Sequence, residues 1–494
     1  MVEAIVERAT RYVTEPPDGA DPVISLASPA ELVEIFEGSV GLALTDSAPA
    51  ATDPEILAAV DQVVEYSMHT SHPRFVNQNF AGPDPIAVVG DWLGAALNTT
   101  GATFEVAPVF TMMETAVLAK LGRLAGFLED ADDPLPALPP GLFCAGGSMG
   151  TLFALQLARH RHQPDVTSAG ANGDRLAVFV SEAGHYAAGK SAALMGLGTD
   201  AVVKVSSDHD GAMILSELER AIDRAETAGM VPLAVIGTAG TTVTAAFDDL
   251  EALAGVCERR ELWLHVDGCY GGSALFSASQ AWRLRGVERA DSLVWNLHKM
   301  MGMTQQCTAL LVREPDRLAA CFSAGADYLF QSDKLHGEYD AGDRTFQCAR
   351  RIDVLKLWLT WKARGDAGFA ARIEHAVAMA EHTRRRLAGS GGAFVPMVSG
   401  DFTNVVFAWV PPHLRPLTLD APDEIPNHVR RELHQLAPRI KARMQADGSG
   451  MIGYQPVHGL NTFRMICMSP MLQAADVDAI LAAIDAAGSD LVGA

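Results

Sequence analysis

The chain has 494 residues, 49% of them hydrophobic and 20% charged, which is typical of a large folded protein and not of a disordered one. Its 38 basic and 60 acidic residues give a formal charge of −22, which argues against a nucleic-acid partner. The seven cysteines lack metal-ligand spacing and fit reduced thiols. Because neither a signal peptide nor a membrane-length apolar run is present, we expect a cytoplasmic protein.

Helices are predicted for the first 75 residues. Asp53 and Pro54 have the residue types of a helix start, and apolar residues then recur at helical spacing. Longer helical patterns follow at 84–98 and 104–125, the second interrupted near its start by Pro108. The N-terminal part is therefore expected to be helical.

From residue 141 the pattern changes to short β-branched runs separated by helical stretches. These runs are Gly141–Cys144, Leu176–Val180, Val202–Val205, Leu233–Ile236, Leu262–Val266, Ser292–Trp295 and Thr308–Val312. Strands that alternate with helices predict crossover connections and a mostly parallel sheet. We expect an α/β fold for this part of the chain.

The segment Arg364-Gly365-Asp366 follows a predicted helix at 350–364 and indicates a domain boundary. Beyond it we predict a helix at 367–388, strands at Asn404–Val410 and Thr462–Met468, a helix near 426–445 and a final helix. These elements are typical of a smaller α+β domain. The predicted divisions are residues 1–75, 76–365 and 366–494.

Two predicted strands end in charged residues. The run Leu262–Val266 is followed by Asp267, and the segment that begins with Ser292–Trp295 leads to Lys299. Charged residues at the carboxyl ends of neighbouring strands are how an open α/β sheet builds an active site. This pair suggests pyridoxal phosphate, with Lys299 as the Schiff-base residue and Asp267 at the ring nitrogen. Taken singly, Lys299 is equally consistent with a surface residue, and Asp267 with a helix cap or salt bridge.

Other strand ends carry candidates for the same site. Gly147 and Ser148 follow a strand and precede a helix, where free amides and the helix dipole bind phosphate, although such glycines are common in α/β proteins. His185 follows the strand Leu176–Val180 and could stack on a cofactor, transfer protons or only cap a helix. The segment Thr238-Ala239-Gly240-Thr241-Thr242 could line a cofactor or form a turn.

With these segments together, the chain resembles the pyridoxal-phosphate group II decarboxylases, most of all the glutamate and cysteine-sulfinate decarboxylases. The matching stretches include HPRFVNQ (72–78), SEAGHYAAGK (181–190), LWLHVD (262–267), NLHKMMG (296–302), YDAGDRTFQCARRIDVLKLW (339–358) and FRM (463–465). The resemblance implies an aspartate-aminotransferase-like fold (fold type I), with a mostly parallel large domain, an N-terminal helical segment and a small C-terminal domain. It also implies a homodimer with active sites at the interface.

The resemblance assigns roles to individual residues. The implied cofactor-binding residues are Gly147, Ser148, His185, Thr242, Asp267, Cys269, Asn296, His298 and Lys299. Among these, Lys299, Asp267 and His185 are also implied to be catalytic, and Gly147, Ser148, Asn296 and His298 to hold the phosphate. Gln78 and Arg464 are implied to contact the substrate, Arg464 through a carboxylate. No metal is expected.

Three departures from the family pattern stand out. The proline of the usual N-P-H-K is replaced by Leu297, and Cys269 stands where alanine is usual. The loop from Ser332 to Tyr339 is about one residue shorter than usual. Family members place a proton-donating tyrosine there, and here His336 lies nearest that position. His336 or Tyr339 could therefore donate the proton to Cα.

The sequence leaves three hypotheses for the function. The first is decarboxylation of a small acidic L-amino acid such as glutamate, aspartate or cysteine sulfinate, with release of the amine and carbon dioxide. The substrate of that reaction could instead be a non-acidic or non-proteinogenic amino acid. The second hypothesis, motivated by the altered loop, is decarboxylation-coupled oxidative deamination. The third is an inactive homologue that serves as a binding subunit, and the retained Lys299 and Asp267 argue against it.

Overall fold

The computed structural model describes residues 1–44, 49–129, 133–331, 333–417 and 425–493. The chain forms two compact units, one made of residues 86–374 and the other of residues 1–85 together with 375–494. The three-part division expected from the sequence, with boundaries after residues 75 and 365, remains a prediction.

The strands are β1 (Phe75–Val76), β2 (Gly141–Cys144), β3 (Leu176–Ser181), β4 (Val202–Val205), β5 (Val231–Thr238), β6 (Trp263–Asp267), β7 (Ser292–Asn296), β8 (Thr308–Val312), β9 (Phe394–Pro396), β10 (Asn404–Trp409), β11 (Met451–Val457) and β12 (Leu460–Ile466). The helices are α1 (Val2–Thr14), α2 (Pro29–Glu37), α3 (Asp53–Glu65), α4 (Pro85–Leu97), α5 (Pro108–Leu124), α6 (Gly147–His162), α7 (Val166–Ala169), α8 (Ala187–Leu194), α9 (Leu215–Thr227), α10 (Leu250–Arg260), α11 (Asp316–Phe322), α12 (Val354–Ala388), α13 (Asn427–Asp447) and α14 (Ala474–Gly493).

The unit of residues 86–374 is built around a seven-stranded sheet in the order β2-β8-β7-β6-β5-β3-β4. Strand β8 runs antiparallel to both of its neighbours, and the pairs from β7 to β4 are all parallel. The prediction of a mostly parallel sheet is therefore confirmed. Because parallel strands end at the same edge, the residues that follow β3, β5, β6 and β7 lie along one edge of the sheet.

The central strands of this sheet are buried along almost their whole length. Phe153 and Leu157 of α6 pack against one face of the sheet, in a cluster that includes Val178, Trp263 and Val294. Burial on both faces explains why these strands are continuous apolar runs without alternation. The same packing fixes α6 with its first residue at the edge where the strands end.

The unit of residues 1–85 and 375–494 contains a five-stranded sheet in the order β1-β11-β12-β10-β9. Only the β1–β11 pair is parallel, and the remaining pairs are antiparallel. Helices α13 and α14 bury apolar stripes in this unit, with Leu433 and Ile440 on α13 and Ile480 and Ile484 on α14. Its helices and mixed sheet agree with the α+β organisation predicted for the C-terminal part.

The first three helices differ from the others in burial. They are described throughout, and α1, α2 and α3 contain no buried residue. Ser28 caps α2 and Thr52 precedes α3, each with a glutamate three residues later that binds back to the cap backbone. Local capping therefore supports these helices, while their apolar side chains stay partly exposed.

Some boundaries differ from those predicted. Helix α5 begins at Pro108 and not at residue 104, as expected of a proline, whose fixed φ suits the first turn of a helix. Within α12, Gly365 has a φ of 65° and a ψ of 178°, which are not helical, so two helices meet at the break predicted for Arg364-Gly365-Asp366. In the described part of the chain, no helix is long and apolar enough to cross a membrane.

Candidate active site

The two charged residues predicted at strand ends lie in the same cavity. Asp267 is the last residue of β6, and Lys299 follows β7 by three residues, with its N–H donating to the carbonyl of Asn296 at 3.2 Å. Both line a cavity of about 150 Å³. Because β6 and β7 are paired neighbours in the sheet, the residues at and after their ends, Asp267 and Lys299, reach the same cavity.

Most of the other predicted cofactor residues line this cavity as well. They are Gly147, Ser148, His185, Thr242, Cys269 and Asn296. They come from the start of α6 and from the segments after β3, β5, β6 and β7. Residues far apart in sequence thus meet at the edge that strand ends and a helix N-terminus share, as expected of an α/β fold.

Gly147, the first residue of α6, is closely surrounded by two other residues that line the cavity. A Cβ atom built there would lie closer than 3.0 Å to Sγ of Cys269, and 3.1 and 3.2 Å from the side-chain nitrogen and oxygen of Asn296. Glycine therefore lets the start of α6 lie close to Cys269 and Asn296. The helix dipole makes this end of a 16-residue helix favourable for a phosphate group.

Hydrogen bonds fix the side chains of Asp267 and Asn296, which both line the cavity. The N–H of Cys269 donates to Oδ1 of Asp267 at 3.1 Å, and Oγ1 of Thr308 donates to Oδ1 of Asn296 at 2.9 Å. Burial raises the pKa of the Cys269 thiol well above its ordinary value, and the neighbouring Asp267 carboxylate raises it further. The thiol therefore stays protonated and packs as a small apolar group.

His185 lines the same cavity from the segment after β3. Burial lowers the pKa of its imidazole, against the opposing effect of Asp267. Nδ1 of His185 accepts a hydrogen bond from the N–H of Ala187 at 3.3 Å, and the ring lies 4.0 Å from that of Tyr186. A neutral ring in this position can stack on a flat ligand or accept a proton.

His298 differs from its neighbours because it is not among the described residues that line the cavity. Its Nδ1 accepts a hydrogen bond from the N–H of Cys307 at 3.1 Å, and burial lowers its pKa to about 4. It therefore stays neutral and ties the segment after β7 to the start of β8. The phosphate contact expected for His298 remains a prediction.

The cavity also contains residues that were not chosen individually from the sequence, namely Thr151, Ala187, Thr238, Gly240 and Tyr270. Thr238 is the most informative of these, because its Oγ1 is buried without a hydrogen-bond partner in the described structure. It ends β5 and pairs in register with Asp267. Its position at a strand end, in the Thr238–Thr242 segment, was the available sequence signal.

A buried carboxylate holds this end of β5 in place. Asp248 accepts hydrogen bonds from the N–H groups of Thr238 and Met213, each at 2.7 Å. Burial raises its pKa to about 6, against the effect of these two bonds. Asp248 thus positions the backbone beside the cavity without entering it.

The two candidates for the Cα proton donor share a contact with Phe104. His336 and Tyr339 both pack against the ring of Phe104, with ring centroids 5.1 and 5.7 Å apart, and neither is among the described residues that line the cavity. Oδ1 of Asp340 accepts a hydrogen bond from the N–H of Phe104 at 2.8 Å, which holds this part of the loop. Ser332 lies outside the described residues. The acid role of either residue remains a prediction.

The two predicted substrate residues belong to the other unit. Gln78 is exposed and follows Asn77, whose carbonyl accepts a hydrogen bond from Nη2 of Arg464 at 3.0 Å. Arg464 lies on β12, opposite Gly453 of β11. The structure thus brings Arg464 next to the segment that contains Gln78.

The residues of the cavity fit pyridoxal phosphate. The start of α6 at Gly147 brings helix N-terminal amides to the cavity, which suits a phosphate, and the unpartnered hydroxyl of Thr238 provides a further polar group. Lys299 supplies an amine for the cofactor aldehyde, and Asp267 a carboxylate for the ring nitrogen. These groups match the three reactive or charged parts of the cofactor.

Comparisons with known proteins support the same cofactor. The profile of the pyridoxal-dependent decarboxylase conserved domain matches residues 42–410. The cysteine sulfinic acid decarboxylase of Rattus norvegicus is 41% identical over 492 residues, which cover 99% of this chain and 94% of the relative. The acidic amino acid decarboxylase GADL1 of Homo sapiens is 39% identical over 498 residues, covering 99% and 91% of the two chains.

Solved structures share the fold. The crystal structure of mouse CSAD superposes with a TM-score of 0.90 at 39% identity, covering 99% of this chain and 98% of that one. A structure of Oryza sativa TDC with PLP and tryptamine has a TM-score of 0.85 at 24% identity, covering 99% and 98%, and it supports the fold alone. The predicted fold type I architecture is confirmed. The chain therefore belongs to the pyridoxal-dependent decarboxylase family, and its cofactor is pyridoxal phosphate.

Proposed function

We propose that this enzyme decarboxylates a small L-amino acid with an acidic side chain, releasing the amine and carbon dioxide. The observation that carries the proposal is the single cavity that unites Lys299, Asp267 and the start of α6 at Gly147. The substrate class is supported by the relatives, whose names specify cysteine sulfinic acid and acidic amino acids. With about 40% identity along the whole chain, a similar substrate is the simplest expectation.

Each side chain of the cavity has a distinct part in this proposal. The amides at the start of α6 and the hydroxyl of Ser148 bind the phosphate. The Asp267 carboxylate would hold the ring nitrogen in its protonated form, and the Lys299 amine would hold the cofactor through its aldehyde. The bound cofactor supplies an electron sink for the bond between Cα and the carboxylate.

The remaining task of the protein is orientation. A substrate held with its Cα–carboxylate bond perpendicular to the cofactor ring loses carbon dioxide in preference to a proton. A neutral His185 ring against the cofactor face would help to hold this geometry. We further propose that Gln78 and Arg464 contact the substrate.

A product assay tests the proposed function. Purified enzyme with added cofactor is incubated with L-cysteine sulfinate, L-aspartate and L-glutamate, and amine and carbon dioxide are quantified. L-Phenylalanine, neutral amides and non-proteinogenic acids serve as comparison substrates, and Lys299→Ala serves as the inactive control. Release of amine from at least one acidic substrate supports the proposal. Turnover confined to non-acidic substrates would refute it.

Decarboxylation-coupled oxidative deamination is a second candidate, favoured by one observation. Neither His336 nor Tyr339 is among the described residues that line the cavity, so the proton donor for Cα is not evident there. An oxygen electrode distinguishes the two reactions, because oxidation consumes oxygen and yields an aldehyde with ammonia. Amine formation without oxygen uptake would exclude this candidate.

We also propose a homodimer in the cytoplasm, with residues 1–75 contributing to dimerisation. On α4, Val89, Trp92, Leu93 and Leu97 are spaced along one helix face and are 37 to 56% exposed. Helices α1 to α3 contain no buried residue, so they also present apolar side chains for a partner. Light scattering should give twice the 52.5 kDa of one chain. A monomer at micromolar concentration would contradict the dimer.

A further inference from the structure

A tight turn begins at Lys299, soon after β7 ends. The N–H of Gly302 donates to the carbonyl of Lys299 at 3.2 Å, which closes a four-residue β-turn with Met300 and Met301 at its centre. Both methionines are buried, at 1% and 0% exposure, so the backbone groups of the turn need partners within the protein. The conformation of this turn determines where the Lys299 side chain begins.

One side chain from outside the turn binds its central peptide. Nε of Arg372, in the part of α12 that follows Gly365, donates to the carbonyl of Met300 at 2.7 Å. In the described part of the chain, Arg372 is the one hydrogen-bond donor to this carbonyl. Because a buried carbonyl that loses its donor is unfavourable, the turn would have to move to find another partner. Arg372 therefore holds the turn in its present conformation.

The guanidinium of Arg372 also packs against Gly302, the last residue of the turn. A Cβ atom built on Gly302 would lie 2.6 Å from Cζ and 2.7 Å from Nη1 of Arg372. Gly302 has a φ of +70°, a conformation that glycine adopts without strain. Arg372 thus holds the turn at two points, by a hydrogen bond at Met300 and by close packing at Gly302.

We propose that Arg372 is a positioning residue for Lys299 and acts through the backbone of this turn. The proposal rests on the role of Lys299 in the proposed function, where its amine would hold the cofactor through its aldehyde. Lys299 lines the cofactor cavity, and Arg372 is not among the described residues that do so. Reactions between two groups depend strongly on their alignment, so a turn that shifts would carry the amine away from the aldehyde.

If Arg372 acts through the turn, the steps that use the Lys299 amine become slower and other binding does not change. When pyridoxal phosphate is added to the apoenzyme, the absorption band of the cofactor joined to the amine develops at a rate that depends on the position of the amine. The analogue 4′-deoxypyridoxine 5′-phosphate keeps the ring and the phosphate but has no aldehyde. Its dissociation constant therefore measures the remainder of the cavity, independently of the amine.

Two variants of Arg372 separate its hydrogen bond from its charge. Arg372→Met removes both. Arg372→Gln also removes the charge, but its amide nitrogen lies as many bonds from Cα as Nε of arginine does, so it can still donate to the carbonyl of Met300. Lys362→Met, which removes an exposed charge from the same helix, is the control.

We expect Arg372→Met to slow the development of the band and to lower kcat by about tenfold or more, with KM and the dissociation constant of the analogue within about threefold of the wild type. Arg372→Gln should recover most of both rates. Lys362→Met should resemble the wild type in all four quantities.

Gly302→Ala provides an independent test of the same contact. Its Cβ should displace the guanidinium, so both rates should fall, and the variant replaces Arg372→Met if the latter does not fold. In the double variant Gly302→Ala, Arg372→Met the guanidinium is absent. The alanine should then lower the rates by a much smaller factor than it does in the wild type.

The inference would be overturned by wild-type rates in Arg372→Met or Gly302→Ala, or by an Arg372→Gln variant as slow as Arg372→Met. A loss of affinity for the analogue equal to the loss of rate would also overturn it, because the whole cavity would then be disturbed. The band develops without substrate. A wild-type enzyme that develops it but releases no amine from acidic amino acids would therefore refute the proposed function alone.

Discussion

Replacing Gly147 by alanine adds one methyl group to a residue that lines the cofactor cavity. The new Cβ would overlap Sγ of Cys269 and lie 3.1 and 3.2 Å from the two polar atoms of the Asn296 side chain. Neither neighbour yields easily, because Cys269 is 8% exposed and Asn296 is held by Thr308 at 2.9 Å. The first residue of α6 must therefore move away from the ends of β6 and β7.

The cost of this movement should fall on cofactor binding. Overpacking of a well-packed site costs about 1–3 kcal/mol, and each 1.4 kcal/mol corresponds to about a tenfold change in affinity. We therefore expect the dissociation constant of pyridoxal phosphate to rise by about 10- to 100-fold in Gly147→Ala. Titration of the apoenzyme, followed by cofactor absorbance, measures the change directly.

A second substitution tests whether the overlap with Cys269 is the cause. In the double variant Gly147→Ala, Cys269→Ala the sulfur is absent, so most of the lost affinity should return, beyond what Cys269→Ala gives alone. Gly189→Ala on α8 is the control, since no atom outside its own helix backbone lies within 4 Å of the added Cβ. Wild-type affinity in Gly147→Ala, or a double variant no better than the single one, would refute the reasoning.

Two further predictions concern buried polar groups of the same unit. Thr238→Val removes a buried hydroxyl that has no described partner, so the apoenzyme should be equally or more stable, while the rise in Tm on adding cofactor should become smaller. Thr238→Ser keeps the hydroxyl and should keep the rise in Tm. An unchanged rise in Thr238→Val would contradict a cofactor-related role. Burial lowers the pKa of His265 from 6.5 to about 4, so the unfolded chain accepts a proton more readily than the folded state does. The contribution of His265 to the free energy of unfolding is therefore fully present above pH 6.5 and is lost as the pH drops towards 4. His265 should therefore lower the unfolding free energy of the apoenzyme by about 2 kcal/mol between pH 7 and pH 5. The difference between the pH profiles of stability of the wild type and His265→Gln measures this effect. Identical profiles would contradict the prediction.

The central sheet could be predicted because its strands are buried on both faces. Continuous apolar runs such as Ser292–Trp295 then carry a signal that does not depend on pairing partners. In the other sheet, β1 and β9 have only two and three residues, too few for any periodicity. Strand β11 contains Gly453 and Pro456, which argue against a strand. Its partner β1 pairs only with Met451 and Ile452, so Pro456 lies beyond the paired part on that side.

Site residues could be predicted from the sequence where a residue suited to catalysis or ligand binding follows the end of a predicted strand. Lys299, Asp267 and Gly147 stand at such positions, and the topology brings them into one cavity. Tyr270 and Thr151 reach the same cavity through packing that no local pattern reveals. His298 shows the opposite case, since a neighbour of Lys299 in sequence is not among the described residues that line the cavity.

The loop before Asp340 shows where sequence reasoning reaches its limit. The sequence identifies His336 and Tyr339 as the nearest candidates for a proton donor, but their location depends on which surface holds the loop. Here the loop is held by the bond from Phe104 to Asp340 and by the pair of Lys334 with Asp340. Such tertiary contacts between distant segments cannot be read from residue order.

The central claim is that Lys299 carries the cofactor. Purified holoenzyme should be yellow, and reduction with borohydride should bleach the colour and fix the mass of the cofactor on the peptide that contains Lys299. Lys299→Ala should show neither the covalent mass nor turnover, while Lys190→Ala, at a lysine outside the cavity, should retain both. A holoenzyme whose reduced cofactor maps to another residue, or a Lys299→Ala variant with full activity, would contradict the account.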